Sequence, residues 1–264
     1  MKKLIFYFIL NFFLVFSINP AAWAEEDKKP EKFSVSTQEK GGDYSYYDGQ
    51  GVVLKGRQQI SQYHLNYQAD QRLTLGLTMQ VSRTNKLEVD NPTNPMFSVD
   101  SNGHKLALGA KADYQLYKSG PWNTSLIFSY NQLPVSLYKY HSDNTRTVLD
   151  LDQKLFLLGL ASEYQVSPRF TLIGEVGISP WKSKVDVDIK QVGADGTPHF
   201  QNFQYKAQAN SWLLKGKYKL DQRFTLTLGY RYLEIKGDTI KEWTESPVKQ
   251  KVNEWIIGVD VNLK

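Results

Sequence analysis

The sequence predicts an all-β chain: an antiparallel up-and-down transmembrane β-barrel of ten strands, with eight as the alternative count. Three observations predict it. Apolar residues recur on every second position through segments of about ten residues, the period of a strand with lipid on one side. Tyr and Trp stand at the ends of those rows, where a membrane interface holds them. Short turns alternate with long polar connections, as in barrels whose two rims face different compartments. A soluble β-sandwich also alternates, but here the polar face is mostly small and uncharged, which suits a filled lumen better than a solvated sheet.

Composition bounds the reading. Lys2 and Lys3 precede an apolar run from Leu4 to Ile18, and Ala22-Trp23-Ala24 supplies the small residues that a signal peptidase requires. Residues 1–24 therefore read as a signal peptide and 25–264 as the barrel domain, integral to the outer membrane of a Gram-negative cell. The two lysines are the only charges in the signal, so the formal charge falls from +5 to +3. That mild excess, without a basic cluster, gives nucleic acid no support as a partner. The absence of cysteine excludes a disulfide scaffold and a thiol nucleophile. Beyond the signal no stretch approaches 18 consecutive apolar residues, so no membrane helix is expected. The mean hydropathy of −0.46 resembles that of a soluble protein, because a barrel strand offers only alternate residues to lipid.

The first strand is weak: Phe33, Val35 and Thr37 alternate before Gly41-Gly42 intervenes. The second runs from Tyr63 to Ala69. In the third, Leu73, Leu75, Leu77, Met79 and Val81 oppose Thr74, Gly76, Thr78, Gln80 and Ser82. The fourth carries Leu106, Leu108, Ala110, Ala112, Tyr114 and Leu116 on one face, and the fifth Trp122, Leu126, Phe128 and Tyr130. Phe156 to Tyr164 and Phe170 to Ile178 form the sixth and seventh. The eighth changes phase, with Phe203, Tyr205, Ala207 and Ala209 on odd positions but Trp212, Leu214 and Tyr218 on even ones. A β-bulge, or an extension above the membrane, accounts for such a change. Phe224, Leu226, Leu228, Tyr230 and Tyr232 mark the ninth; Trp255, Ile257, Val259, Val261 and Leu263 mark the tenth. The chain ends in Lys264 where many such barrels end in an aromatic residue.

Four connections are tight: 68–72, 118–121, 165–169 and 219–223, each rich in Asp, Gly, Pro or Ser. Long polar stretches near 40–55, 84–103, 133–147, 182–202 and 236–250 separate them. Five long loops and four short turns make ten strands, with turns and termini periplasmic and loops extracellular. Asp70-Gln71-Arg72-Leu73-Thr74-Leu75 recurs as Asp221-Gln222-Arg223-Phe224-Thr225-Leu226, with Ser167-Pro168-Arg169-Phe170-Thr171-Leu172 as a cousin.

The lumen face carries Lys105, Lys111, Lys215, Lys217 and Arg231 against Asp113, Glu163, Glu175 and Asp260. Charges inside so narrow a barrel are expected to pair and plug it; the lysine excess would bias any residual pore toward anions. His64 should point into the lumen between Gln62 and Asn66. His104 and His141 fall at loop bases, and Asp186, Asp188 and Asp195 lack a calcium-loop pattern, so no metal and no cofactor is expected. No motif flags a nucleophilic serine. The loops hold Tyr44, Tyr46, Tyr47, Tyr138, Tyr140, Trp181 and Trp243, candidates for girdle and loop packing or for ligand anchors. Arg83, Lys139, Lys182 and Lys184 near that rim suit the phosphates of lipopolysaccharide.

Gly56-Arg57 followed by Ser61-Gln62, the run Leu157 to Tyr164, and Phe170 to Trp181 resemble strands of the omptin family, ten-stranded outer-membrane proteases. The resemblance implies an acidic pair facing an Asp–His pair above the barrel, activating a water molecule. Glu88 and Asp90 fall near the first pair. Asp186 and Asp188 fall at the second, where no histidine stands; His199 lies more than ten residues on. An acidic cluster without its base departs from the family's chemistry. The reading is therefore a monomeric, non-enzymatic surface or envelope protein acting through extracellular loops. An omptin-like endopeptidase and a small anion-leaning channel are the alternatives. The expected partners are outer-membrane lipid, lipopolysaccharide and an extracellular ligand at the loops.

Overall fold

The computed structural model describes residues 33–47, 53–90, 98–99, 104–140, 146–192, 196–239 and 247–263. The expected signal peptide 1–24 with its cleavage point, His141, Asp195, Trp243 and Lys264 lie outside them. The described strands are β1 (Phe33–Tyr47), β2 (Val53–Gln68), β3 (Leu73–Asp90), β4 (Ser98–Val99), β5 (His104–Ser119) and β6 (Trp122–Tyr140). They continue with β7 (Arg146–Gln165), β8 (Phe170–Ile178), β9 (Ser183–Val192), β10 (Pro198–Lys219), β11 (Phe224–Gly237) and β12 (Lys249–Leu263).

All pairings are antiparallel, and the ring closes where β12 pairs with β1, from Phe33↔Leu263 to Tyr47↔Lys249. Closure gives each strand of the ring a partner on both sides, the condition for a sheet to sit in hydrocarbon. β8 and β9 share one ring position, since both pair with β7 on one side and β10 on the other. The two-residue β4 only flanks β3. The barrel therefore has ten strand positions, as the sequence predicts.

Between β8 and β9, Ser179-Pro180-Trp181-Lys182 interrupts the strand. Pro180 has no N–H for the ladder. Ser179 closes the gap: its N–H donates to the Ala209 carbonyl (2.7 Å), and its hydroxyl accepts from the Ala209 N–H (3.0 Å).

The short turns follow from their side chains. Asp70 Oδ1 accepts from the N–H groups of Arg72 and Leu73, both at 2.7 Å. Asp221 repeats this with Arg223 (2.7 Å) and Phe224 (2.8 Å), and Ser167 does so more loosely with Arg169 and Phe170. The sequence repeat is thus shared turn chemistry. Gly120 takes φ 54° at the first of two loop positions between Ser119 and Trp122, where a tight hairpin demands positive φ.

Two zones stack along the barrel axis. In the zone nearer the short turns the apolar rows point outward: Leu77, Leu228, Trp255 and Ile257 are each at least 60% exposed. Phe224 to Tyr232 spans about 27 Å along its strand and about 20 Å of depth at the usual tilt, a fit to the hydrocarbon layer. Aromatic pairs flank the belt. Phe33–Tyr67 and Trp122–Tyr164 lie on the short-turn side, Trp212–Tyr230–Trp255 and Tyr130–Phe156–Trp181 on the other.

Beyond that second girdle the chemistry inverts. Leu151, Leu155, Val185, Val187, Tyr205, Leu233 and Ile235 point inward and form an apolar core. The outer face there carries Lys184, Lys190, Lys206, Lys236 and Lys251. β10 runs through both zones with its inward face on odd positions throughout, so the eighth strand's phase change marks the exit from the membrane and no bulge is needed.

Much of the predicted loop sequence is accordingly strand. β6 and β7 pair without a break from Trp122↔Tyr164 to Tyr140↔Arg146, and most of 182–202 forms β9 and the start of β10. Tyr46, read as a loop aromatic, is 1% exposed in the core, because β1 continues past Gly41-Gly42 and turns it inward.

Candidate functional site

Inside the belt the lumen is a network of ion pairs. Lys215 Nζ lies 2.7 Å from Glu175, and Lys111 bridges Asp113 (3.2 Å) and Glu175 (3.8 Å). Lys217 meets Asp260 at 2.8 Å, and Arg231 meets Glu254 at 2.6 Å. His64 points into the lumen, its Nδ1 2.8 Å from Thr78 Oγ1 and its buried Nε2 without a protein partner. Sequence reasoning missed Lys40 and Glu254, both buried and inward. Carrying the parity of Asp260, Gly258 and Ile256 two residues further reaches Glu254. The glycine pair hid the strand that holds Lys40.

Around this network lies a cavity of about 800 Å³ that opens between the short turns, with Arg72, Arg169 and Lys219 at its mouth. Its lining ends at Lys40, Gln62, Arg231 and Leu157. The next inward residues on those strands include Ile60, Leu155 and Leu233, all 3% exposed or less. Above them Gln153 Nε2 of β7 donates to Gln250 Oε1 of β12 at 2.9 Å, and Gln250 donates to the Tyr205 hydroxyl at 3.0 Å. β7 and β12 stand four ring positions apart, so this bond crosses the lumen. Burial pushes the Tyr205 hydroxyl well above its usual range, and Gln250's hydrogen bond only partly offsets this. The lumen is a blind vestibule under an apolar plug.

The acidic candidates fall on strands. Asp186 and Asp188 lie on the outward face of β9, opposite Gln204 and Asn202; Gln204 Nε2 donates to Asp186 at 2.8 Å. His199 pairs in register with Gln191, which places it on the other face of the same hairpin. Glu88 and Asp90 lie on β3, in register with Lys55 and Val53 and four ring positions from β9. Among the described residues no group of three His, Asp or Glu is placed to hold a metal ion.

The outer face holds a different feature just above the girdle. Lys184 and Lys206 are direct cross-strand partners, both exposed. Lys182, also expected at this rim, is paired with Asp238 at 2.5 Å. Higher up, burial raises the Glu234 carboxyl, but hydrogen bonds from Lys249 and Lys236 outweigh it and hold the group below the usual carboxylate range.

An apolar belt between aromatic girdles, closed by ten strands around a polar lumen, defines a membrane-spanning β-barrel of the outer-membrane type. No protein-family model matches the sequence, and no curated protein matches it. Solved structures share the fold. The outer membrane protease OmpT of Escherichia coli aligns with a TM-score of 0.59 at 9% identity, covering 90% of this chain and 99% of that one. The translocator domain of the autotransporter NalP from Neisseria meningitidis aligns at 0.49 and 12% identity, over 90% of each chain. The attachment invasion locus protein Ail of Yersinia pestis aligns at 0.34 and 9%, over 88% of this chain and 99% of that one. At these identities the likeness is one of fold.

Proposed function

We propose that the protein is a non-enzymatic barrel of the outer membrane that binds at the cell surface through its strand tips, with short turns and termini in the periplasm. The observation that carries this reading is the apolar core of the upper zone. It stiffens the projecting hairpins and seals the lumen, so the molecule is built as a platform and not as a conduit. The rim lysines support lipopolysaccharide as an anchoring partner. Like charges directly opposite across a strand pair repel, and a phosphate bridging Lys184 and Lys206 converts that repulsion into two charge-assisted hydrogen bonds. Proteolysis finds less support, because the register sets His199 and the two β9 aspartates on opposite faces of their hairpin.

The chain has no cysteine, which makes labelling a direct test. Lys190→Cys should react with a membrane-impermeant maleimide on intact cells, and Gln71→Cys only after permeabilisation. The reverse pattern would overturn the orientation. In planar bilayers the purified protein should give no discrete conductance steps; stable steps would revive the channel. Lys184→Ser with Lys206→Ser should weaken lipopolysaccharide binding several-fold, and unchanged binding would remove that partner.

A further inference from the structure

We infer that the blind vestibule is a binding site for a phosphate-bearing anion, anchored at its inner end by Lys40 and gathered at its mouth by Arg72, Arg169 and Lys219. Charge carries the inference first. Eight cationic and four acidic residues line the cavity. Lys111, Lys215, Lys217 and Arg231 are ion-paired, whereas the other four have no ion pair among the described residues. Three of these, Arg72, Arg169 and Lys219, are exposed at the mouth, where Oδ1 of Asp70 and Asp221 and the Ser167 hydroxyl accept from backbone N–H groups. The fourth stands at the far end.

Lys40 is the informative group. It is 7% exposed, lines the cavity, and has neither hydrogen bond nor ion pair among the described residues. Glu254 and Glu175 offset its charge only at longer range, and a buried ammonium without a contact ion pair is costly. On the neighbouring strand His64 also lines the cavity; its Nε2 is buried without a protein partner, and in the tautomer whose Nδ1 accepts from Thr78 it carries an N–H. Arg231 adds a third such donor, its Nε. A doubly charged phosphate answers more of these groups than a single carboxylate does, and the forked guanidinium groups at the mouth match its oxygens. A volume of about 800 Å³ admits a phosphorylated solute or a lipid headgroup. The site itself does not depend on which compartment the short turns face; only the natural source of the anion rests on the orientation proposed above.

The test is thermal unfolding of the full chain in uncharged detergent, titrated with inorganic phosphate against chloride of equal ionic strength. A ligand held only by the folded state raises the transition in proportion to its saturation. The wild-type transition should rise and saturate. Lys40→Met should melt above the wild type without phosphate, since it removes an unpaired buried charge, and should bind phosphate about ten-fold more weakly. Arg72→Gln with Arg169→Gln, both exposed, should weaken binding roughly three-fold and flatten its salt dependence. A second arm replaces phosphate with phosphatidylglycerol in mixed micelles, against phosphatidylcholine. A response to inorganic phosphate identifies a free solute, and a response to phosphatidylglycerol alone identifies a headgroup. The inference is overturned if neither arm moves the wild type, or if Lys40→Met or the arginine pair responds as the wild type does.

Discussion

β10 passes through two environments with one backbone. From Trp212 to Tyr218 its even residues meet lipid and its odd ones, Lys215 and Lys217, meet a charged lumen. From Tyr205 to Ala209 its odd residues form a dry core and its even ones, Lys206 and Gln208, face water. The parity does not change at the junction, although β9 takes over from β8 as the partner on one side; what changes is the solvent outside. Strand geometry fixes which side chains share a face, and the surroundings decide which face must be apolar.

Adjacent residues in the upper zone break this comparison most sharply. Val185→Asp should destabilise the protein by about 3 to 5 kcal/mol, because a carboxylate enters the core without a partner. Lys184→Leu, one residue away on the outer face, should change stability by less than about 0.5 kcal/mol. Chemical unfolding followed by tryptophan fluorescence checks both, and equal effects would dissolve the distinction between the faces.

In the lower zone the same substitution logic runs in reverse. Leu228→Lys, at the middle of the belt, should cost about 2 to 4 kcal/mol, read as a shift in the midpoint of reversible folding into vesicles. Third comes the bond that spans the barrel. Gln250→Ala leaves the Gln153 amide and the Tyr205 hydroxyl unpartnered in the core, a loss of about 1 to 3 kcal/mol in the same unfolding measurement.

The smallest effect belongs to the short-turn rim. Hydrogen bonds from Phe224 and Arg223 hold the Asp221 carboxyl below its usual range. A depressed carboxylate stabilises the fold above its unfolded value, and that contribution fades as pH falls through the folded value. Asp221→Asn should therefore narrow the gap between stability at neutral pH and stability in acid. An unchanged acid profile would show that the turn does not draw on the charge.

The membrane zone was legible because lipid and lumen impose a strong contrast: leucine and aromatic rows against Thr, Gly, Ser and Asn. The upper strands were not, although Val185-Asp186-Val187-Asp188 alternates just as strictly. Its outward positions carry charge, and beside lipid-facing rows such a run looks like loop. The phase change in β10 is the one signal of inversion in the sequence, and a bulge produces the same pattern. Site residues followed the same divide. His64 and four of the lumen pairs lay on clear strands, whereas Lys40 and Tyr46 lay beyond a glycine pair that broke the pattern. The side chains of Glu88 and Asp90, with those of Arg83, His104, Lys105, Tyr138, Lys139 and Tyr140, fall outside the described side chains.

Strands that run on from the belt into the upper zone tie the calibres of the two together. The spacing that suits a bilayer-spanning wall is carried into the upper zone, and the plug must fill the space between its strands. Ala207 and Ala209 share the plug with the large rings of Tyr46 and Tyr205, and Gly237 lies so close to Tyr205 that a Cβ there would stand 2.4 Å from the ring. Enlarging any of these small residues would press outward on a hoop whose circumference the membrane half has already set.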